Sequence, residues 1–218
     1  MTQHEVAYLG RMTAGLTHEM KNVLATIKET AGLMSDLLPR YTSQPEVLRE
    51  KFEQTLVPRI LEQVRRGVEI STHMSRLAHS MDQSPAEVEV DVLLDEVIFL
   101  MSRLARLKQV PLTLASKAGH WSVTTDPLGL QLVLSSAVDT CLEQARPGQH
   151  VVIAPAPKDK RILFQVLGAD EAGPATVYRV GPRPEVLTGL TDLLRELGVE
   201  LGVMEAGVGV GLVVQLPA

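Results

Sequence analysis

The chain has 218 residues, 45% of them hydrophobic and only 3% aromatic, and a formal net charge of -5. That length holds two small domains or one large one, with a core built from aliphatic side chains. The acidic balance excludes a nucleic-acid binder driven by phosphate contacts, and the single cysteine, Cys141, excludes an intramolecular disulfide or a cysteine-cluster metal site.

The first predicted element is a long helix over residues 3–38, stopped by Pro39. Leu9, Thr13, Leu16, Met20, Val23, Ile27, Thr30, Met34 and Leu37 alternate steps of four and three. This 3.5-residue period marks a helix packed in a bundle or coiled coil. His18 lies midway between Leu16 and Met20, so at about 100° per residue it projects away from that seam. A turn at Tyr41–Pro45 leads into a second helix, from about Glu46 to Met81, with apolar positions at Leu48, Phe52, Leu56, Ile60, Leu61, Val64, Val68, Ile70, Met74 and Leu77. Pro58 is expected to kink or break it. Two long helices on a short loop form an antiparallel hairpin. One hairpin leaves its apolar stripes poorly covered, so a homodimeric four-helix bundle through residues 3–81 is expected.

Asp82–Pro85 reads as a linker, after which the pattern turns to α+β. A helix is expected over Val90–Lys108, and short strands over Pro111–Ala115 and Trp121–Thr124. Asp126-Pro127 is the N-cap and first turn of a helix running to about Ala145, with Cys141 a buried thiol on it. Val151–Ala154 and Arg161–Leu167 read as a strand pair around the turn Pro155–Lys160. Pro184–Leu197 is a last helix closed by Gly198, and Val199–Met204 with Val210–Leu216 a terminal hairpin. The order predicts a mixed sheet with helices on one face. The run Gly207-Val208-Gly209-Val210-Gly211 leads into a strand rather than a helix N-terminus, so it reads as a hairpin turn and not a phosphate loop. No 18-residue apolar run or signal-peptide pattern is present, which makes a cytoplasmic protein with no membrane insertion the expectation.

His18, Glu19 and Asn22 carry the chemistry that the first helix displays: an imidazole beside a carboxylate, with an amide one turn on, suits proton or phosphoryl transfer. A zinc peptidase helix would also begin His-Glu, but it needs a second imidazole where Asn22 stands. His73 and His79 are six residues apart and do not share a helix face, and His4, His120 and His150 have no partner set in the sequence.

The segment Leu9-Gly10-Arg11-Met12-Thr13-Ala14-Gly15-Leu16-Thr17-His18-Glu19-Met20-Lys21-Asn22 resembles the H-box of sensor histidine kinases, whose core is H-E-x-x-N. The resemblance extends over nearly the whole chain. Residues 1–82 are similar to the dimerisation and histidine-phosphotransfer hairpin. Residues 88–218 are similar, in element order and in Asp126-Pro127-Leu128-Gly129-Leu130-Gln131, to the Bergerat-type α/β sandwich that binds ATP. The resemblance implies that His18 is the phosphoacceptor, that Glu19 orients or deprotonates it, and that Asn22 positions a water or an acyl phosphate. Lys21 would help neutralise phosphate or simply be solvated.

The second half departs from the family's pattern. Ser135 and Asp139 stand where the family has two asparagines four residues apart. Asp139 could hold Mg²⁺ through oxygen, in an altered site. Asp170 stands for the adenine-reading aspartate, in Gly168-Ala169-Asp170-Glu171-Ala172-Gly173-Pro174, with the wrong glycine spacing. Gly189 alone remains of the glycines that would cradle phosphates. Between Gly173 and the last long helix there are too few residues for a usual ATP lid. Three functions follow as expectations. The first is a phosphotransfer protein passing phosphoryl groups between response-regulator receiver domains through His18, without ATP. The second is a divergent kinase using ATP and Mg²⁺ at Asp139. The third is a non-catalytic dimeric scaffold for a response regulator.

Overall fold

The computed structural model describes residues 3–41, 43–81, 84–146, 148–168, 184–203 and 211–216. The chain divides into two compact units: residues 10–76, and residues 77–218 together with the first nine residues.

In the first unit, helix α1 (Gln3–Leu37) is followed by α2 (Pro45–Lys51), a π-helical segment (Phe52–Leu56) and α3 (Val57–His79). Leu16, Val23, Thr30 and Leu37, each seven residues apart, are buried, and Met20, Ile27 and Met34 between them are half-buried. A strip covered on only one side is what a single hairpin leaves. The Thr30 hydroxyl is satisfied inside the strip by donating to the Thr26 carbonyl at 2.7 Å.

Two details depart from the periodic pattern. Before Leu16 the covered positions are Glu5, Tyr8 and Met12, while Leu9 is half-buried and Thr13 exposed. This covered line lies one residue, about 100°, away from the expected one. The reason is that the first nine residues group with the second unit, so other neighbours choose their covered side. The second departure is at Pro58. The α-helical pattern is interrupted just before the proline, where the five residues Phe52–Leu56 widen into a π-turn. Proline cannot donate a backbone hydrogen bond. The apolar spacing agrees with a wider turn: Leu48, Phe52, Leu56 and Ile60 follow one another by fours, which in a regular α-helix drifts by about 40° a step.

In the second unit a five-stranded sheet forms among the described residues, in the order β2-β4-β5-β7-β6. Its strands are β2 (Leu112–Leu114), β4 (Gln149–Ala156), β5 (Arg161–Gly168), β6 (Glu200–Val203) and β7 (Gly211–Gln215). Strand β2 runs parallel to β4, with Leu112 opposite Val151; the β4–β5, β5–β7 and β6–β7 pairs are antiparallel. Helices α4 (Val90–Leu107), α5 (Pro127–Gln144) and α6 (Pro184–Leu197) lie in one layer. The central helix α5 touches β4, β5 and β7 and is flanked by α4 and α6. The α+β layout, a helical hairpin followed by an α/β sandwich, is therefore the one expected.

The strand expected over Trp121–Thr124 forms, but outside the mixed sheet: β3 (Ser122–Thr125) pairs antiparallel with β1 (Ala86–Glu89) in a separate two-stranded ribbon. Glu87 and Glu89 alternate with half-buried Ala86 and Val88, a period-two pattern too short and too acidic to be conspicuous in the sequence.

The core lies between α4, α5 and the sheet, where Leu94, Val97, Leu130, Leu134, Val138, Ile153, Ile162 and Val214 are all fully buried. Each such side chain stabilises by about 1.5–3 kcal/mol. Helix α5 is buried almost all round, Cys141 included. The Asp126 carboxylate caps it, accepting from the Gly129 N–H at 3.1 Å. Gly198, at φ +63, ends α6: Val199 N–H donates to Leu194 O and Gly198 N–H to Arg195 O. The Gly207–Gly209 turn lies outside the described residues.

Candidate functional site

His18 sits in the middle of α1, where good helix formers and the covered strip fix the helix on one side and leave the imidazole exposed on the other. Asn22, one turn on and also exposed, brings its Nδ2 to 3.3 Å from His18 Nδ1. In this orientation the amide donates, which puts the ring proton on Nε2. With the amide turned over, its oxygen accepts from Nδ1–H and the Nε2 lone pair faces outward, the form a nucleophile needs; the two orientations exchange nitrogen for oxygen at the same distance.

Glu19 is held differently. Its Oε2 accepts from Arg66 Nη2 on α3 at 2.9 Å, with the Glu19 side chain 12% exposed and Arg66 42%. The next residue, Gly67, faces α1: a Cβ there would be in ordinary contact with Val23 Cγ1 at 3.4 Å and Met20 Sδ at 3.8 Å. The hairpin thus gathers His18, Asn22, Glu19 and Arg66 at one level of two helices. Arg66 was not singled out in the sequence, where Arg65-Arg66 reads as part of a solvated face. Its signal was available only as a pairing, since the two arginines differ by which one faces the other helix. Arg65 instead pairs with Glu62 within its own helix. Lys21 is exposed.

The positions carried over to the second unit are arranged otherwise. Ser135 and Asp139 do share a face of α5, together with Gln131 one turn earlier. Ser135 is fully buried, and its hydroxyl shares a 2.9 Å hydrogen bond with the hydroxyl of Tyr8, itself 2% exposed. Asp139 is half-buried and has interactions of its own. Gln131 Oε1 is buried with no hydrogen-bond donor among the described residues. Gly189, on α6, is faced by the His4 ring, whose Cε1 lies 2.9 Å from where a Cβ would stand. Asp170 lies outside the described residues. The Ser135 hydroxyl thus meets a tyrosine, and Gly189 faces an imidazole. Among the described residues no group of three or more His, Cys, Asp or Glu side chains is placed to hold a metal ion.

No protein-family profile matches the chain, and no curated protein matches it. Solved structures do. The chain is similar to the cytoplasmic segment of histidine kinase QseC, at 17% identity and a TM-score of 0.47, over 71% of this chain and 94% of that one. It is similar to histidine kinase ThkA in complex with response regulator protein TrrA, at 16% identity and a TM-score of 0.47, over 97% of this chain and 62% of that one. It is similar to a bacterial phosphotransferase, at 11% identity and a TM-score of 0.46, over 98% of this chain and 97% of that one. None of these superpositions assigns a role to a residue of this chain. Among the described residues no helix is long and apolar enough to cross a membrane.

Proposed function

We propose that the chain is a two-component phosphotransfer protein that carries phosphoryl groups on His18 between receiver domains of response regulators. The observation that carries the reading is the exposed imidazole with Asn22 against its Nδ1, on the side of α1 away from the covered strip. The Nε2 lone pair attacks the phosphorus of an aspartyl phosphate. A P–N bond forms as the P–O bond to the acyl group breaks, and the aspartate carboxylate leaves with the bonding pair. With the Asn22 amide turned so that its oxygen faces the ring, Nδ1 keeps its proton. Attack by the aspartate of a second receiver on the phosphohistidine reverses these steps and restores the ring. No nucleotide enters this cycle. Arg66 sets the direction of the Glu19 carboxylate beside the ring, and its remaining donors are of the kind that steady phosphate oxygens.

The working form in this reading is a homodimer. Val57, Leu61, Val64 and Val68 on α3 repeat by fours and threes and are 40–62% exposed, and Leu24 on α1 is 58% exposed. A second copy of the hairpin supplies the cover this stripe lacks.

Incubation with receiver domains phosphorylated on aspartate tests the chemistry. Transfer of label to the wild-type chain, as an acid-labile and base-stable phosphoramidate lost in His18→Gln, is the expected result. Absence of transfer from every receiver tried, or undiminished labelling of His18→Gln, refutes it.

A further inference from the structure

The first two turns of α1 make contacts that the phosphotransfer cycle does not use. Tyr8 and His4 are one turn apart on that helix, and each meets a residue at a place where the family resemblance puts part of a nucleotide site. Tyr8 reaches the buried Ser135 hydroxyl on α5, and His4 lies over Gly189 on α6. Glu5, on the same side, is buried as well. All of these residues belong to one compact unit. Gln131, Ser135 and Asp139 form a polar stripe on one face of α5, and Tyr8 covers the serine in it. Its ring supplies apolar cover while its hydroxyl satisfies the serine, so the buried polar group costs little. Gly189 leaves room for the second contact, since a Cβ there would stand 2.9 Å from His4 Cε1 and the imidazole would have to move aside.

We infer that the first two turns of α1 are an intramolecular latch. The docking surface formed by α5 and α6 takes a segment of this chain as its ligand, and the face is closed to nucleotide. Nucleotide is therefore kept out by occupancy as well as by the loss of metal-binding asparagines. The inference rests on the reading of Ser135 and Gly189 as former nucleotide positions and does not depend on the chemistry of His18. Failure of receiver-to-His18 transfer would leave it standing.

Three measurements on the full chain test it. In thermal melts, Tyr8→Phe and Ser135→Ala should each lower Tm by about 2–4 °C, and the double variant should fall no further than the worse single one. Additive losses would show that the two hydroxyls do not meet. In hydrogen exchange, Gly189→Leu should raise exchange at residues 3–9, because the leucine takes the place of the His4 ring. Unchanged exchange there would overturn the latch, and should Gly189→Leu fail to fold, the melts alone decide. Saturating Mg-ATP should leave exchange of residues 3–9 in the wild-type chain unaltered. If it frees those residues while protecting α5, the face is a nucleotide site and the inference is wrong.

Discussion

Gly129 shows how one missing methyl sets a helix start. A Cβ at that position would lie 2.6 Å from Asp126 Oδ2, 3.1 Å from Leu193 Cδ1 and 3.3 Å from Leu197 Cδ2. Gly129→Ala is therefore expected to displace the capping carboxylate and push α6 from α5. It should destabilise by at least about 1 kcal/mol, the typical cost of a lost N-cap, read as a lower denaturant midpoint. Arg66 makes the complementary case, where stability changes little and chemistry changes much. Its ion pair with Glu19 is partly solvated, and exposed pairs contribute only about 0–1 kcal/mol. Arg66→Ala should thus melt close to wild type, yet slow phosphotransfer to His18 roughly tenfold or more, because Glu19 loses its orientation; a wild-type transfer rate would remove Arg66 from the site. His18 and Asn22 were legible in the sequence because they lie four apart on one helix. Arg66 and Tyr8 were not, because each acts through a residue remote in sequence, 47 positions away for Glu19 and 127 for Ser135.

At the scale of elements, two helices end in the same way with different residues. Helix α6 uses Gly198 in the left-handed region. Helix α4 uses Gln109, at φ +56, with Val110 N–H donating to Ala105 O and Gln109 N–H to Arg106 O. A side chain in that conformation costs about 1–2 kcal/mol, which glycine avoids. Gln109→Gly should accordingly raise Tm by about 2–4 °C, and a fall would mean the glutamine makes compensating contacts. The Gly198 stop was legible from its residue type, whereas the identical stop at Gln109 was not, although the helix end itself was placed within a residue. The sheet was legible wherever strands alternate or run apolar over several residues, as in β4 and β5. Strand β1, the partner of β3, escaped notice because four residues with two glutamates carry little strand signal.

The molecule as a whole carries two surfaces with different needs. The hairpin displays an apolar stripe that water covers poorly, while the α/β unit has filled its own polar face from within the chain. The dimer proposed above is open to direct measurement: light scattering of the wild-type chain should give twice the protomer mass, and Leu61→Lys with Val68→Lys should give the protomer mass with α-helical content retained. A monomeric wild-type chain would leave the stripe for some other partner. The π-turn at Phe52–Leu56 separates the hairpin into two sections. Deleting a single residue there would let the backbone close into ordinary α-helix and rotate everything before it by about 100°, carrying Leu48 off its covered side. Residues after Pro58, Arg66 among them, would keep their facing toward Glu19. A change of length at the crossover end of the hairpin would thus leave the level that holds the imidazole in register.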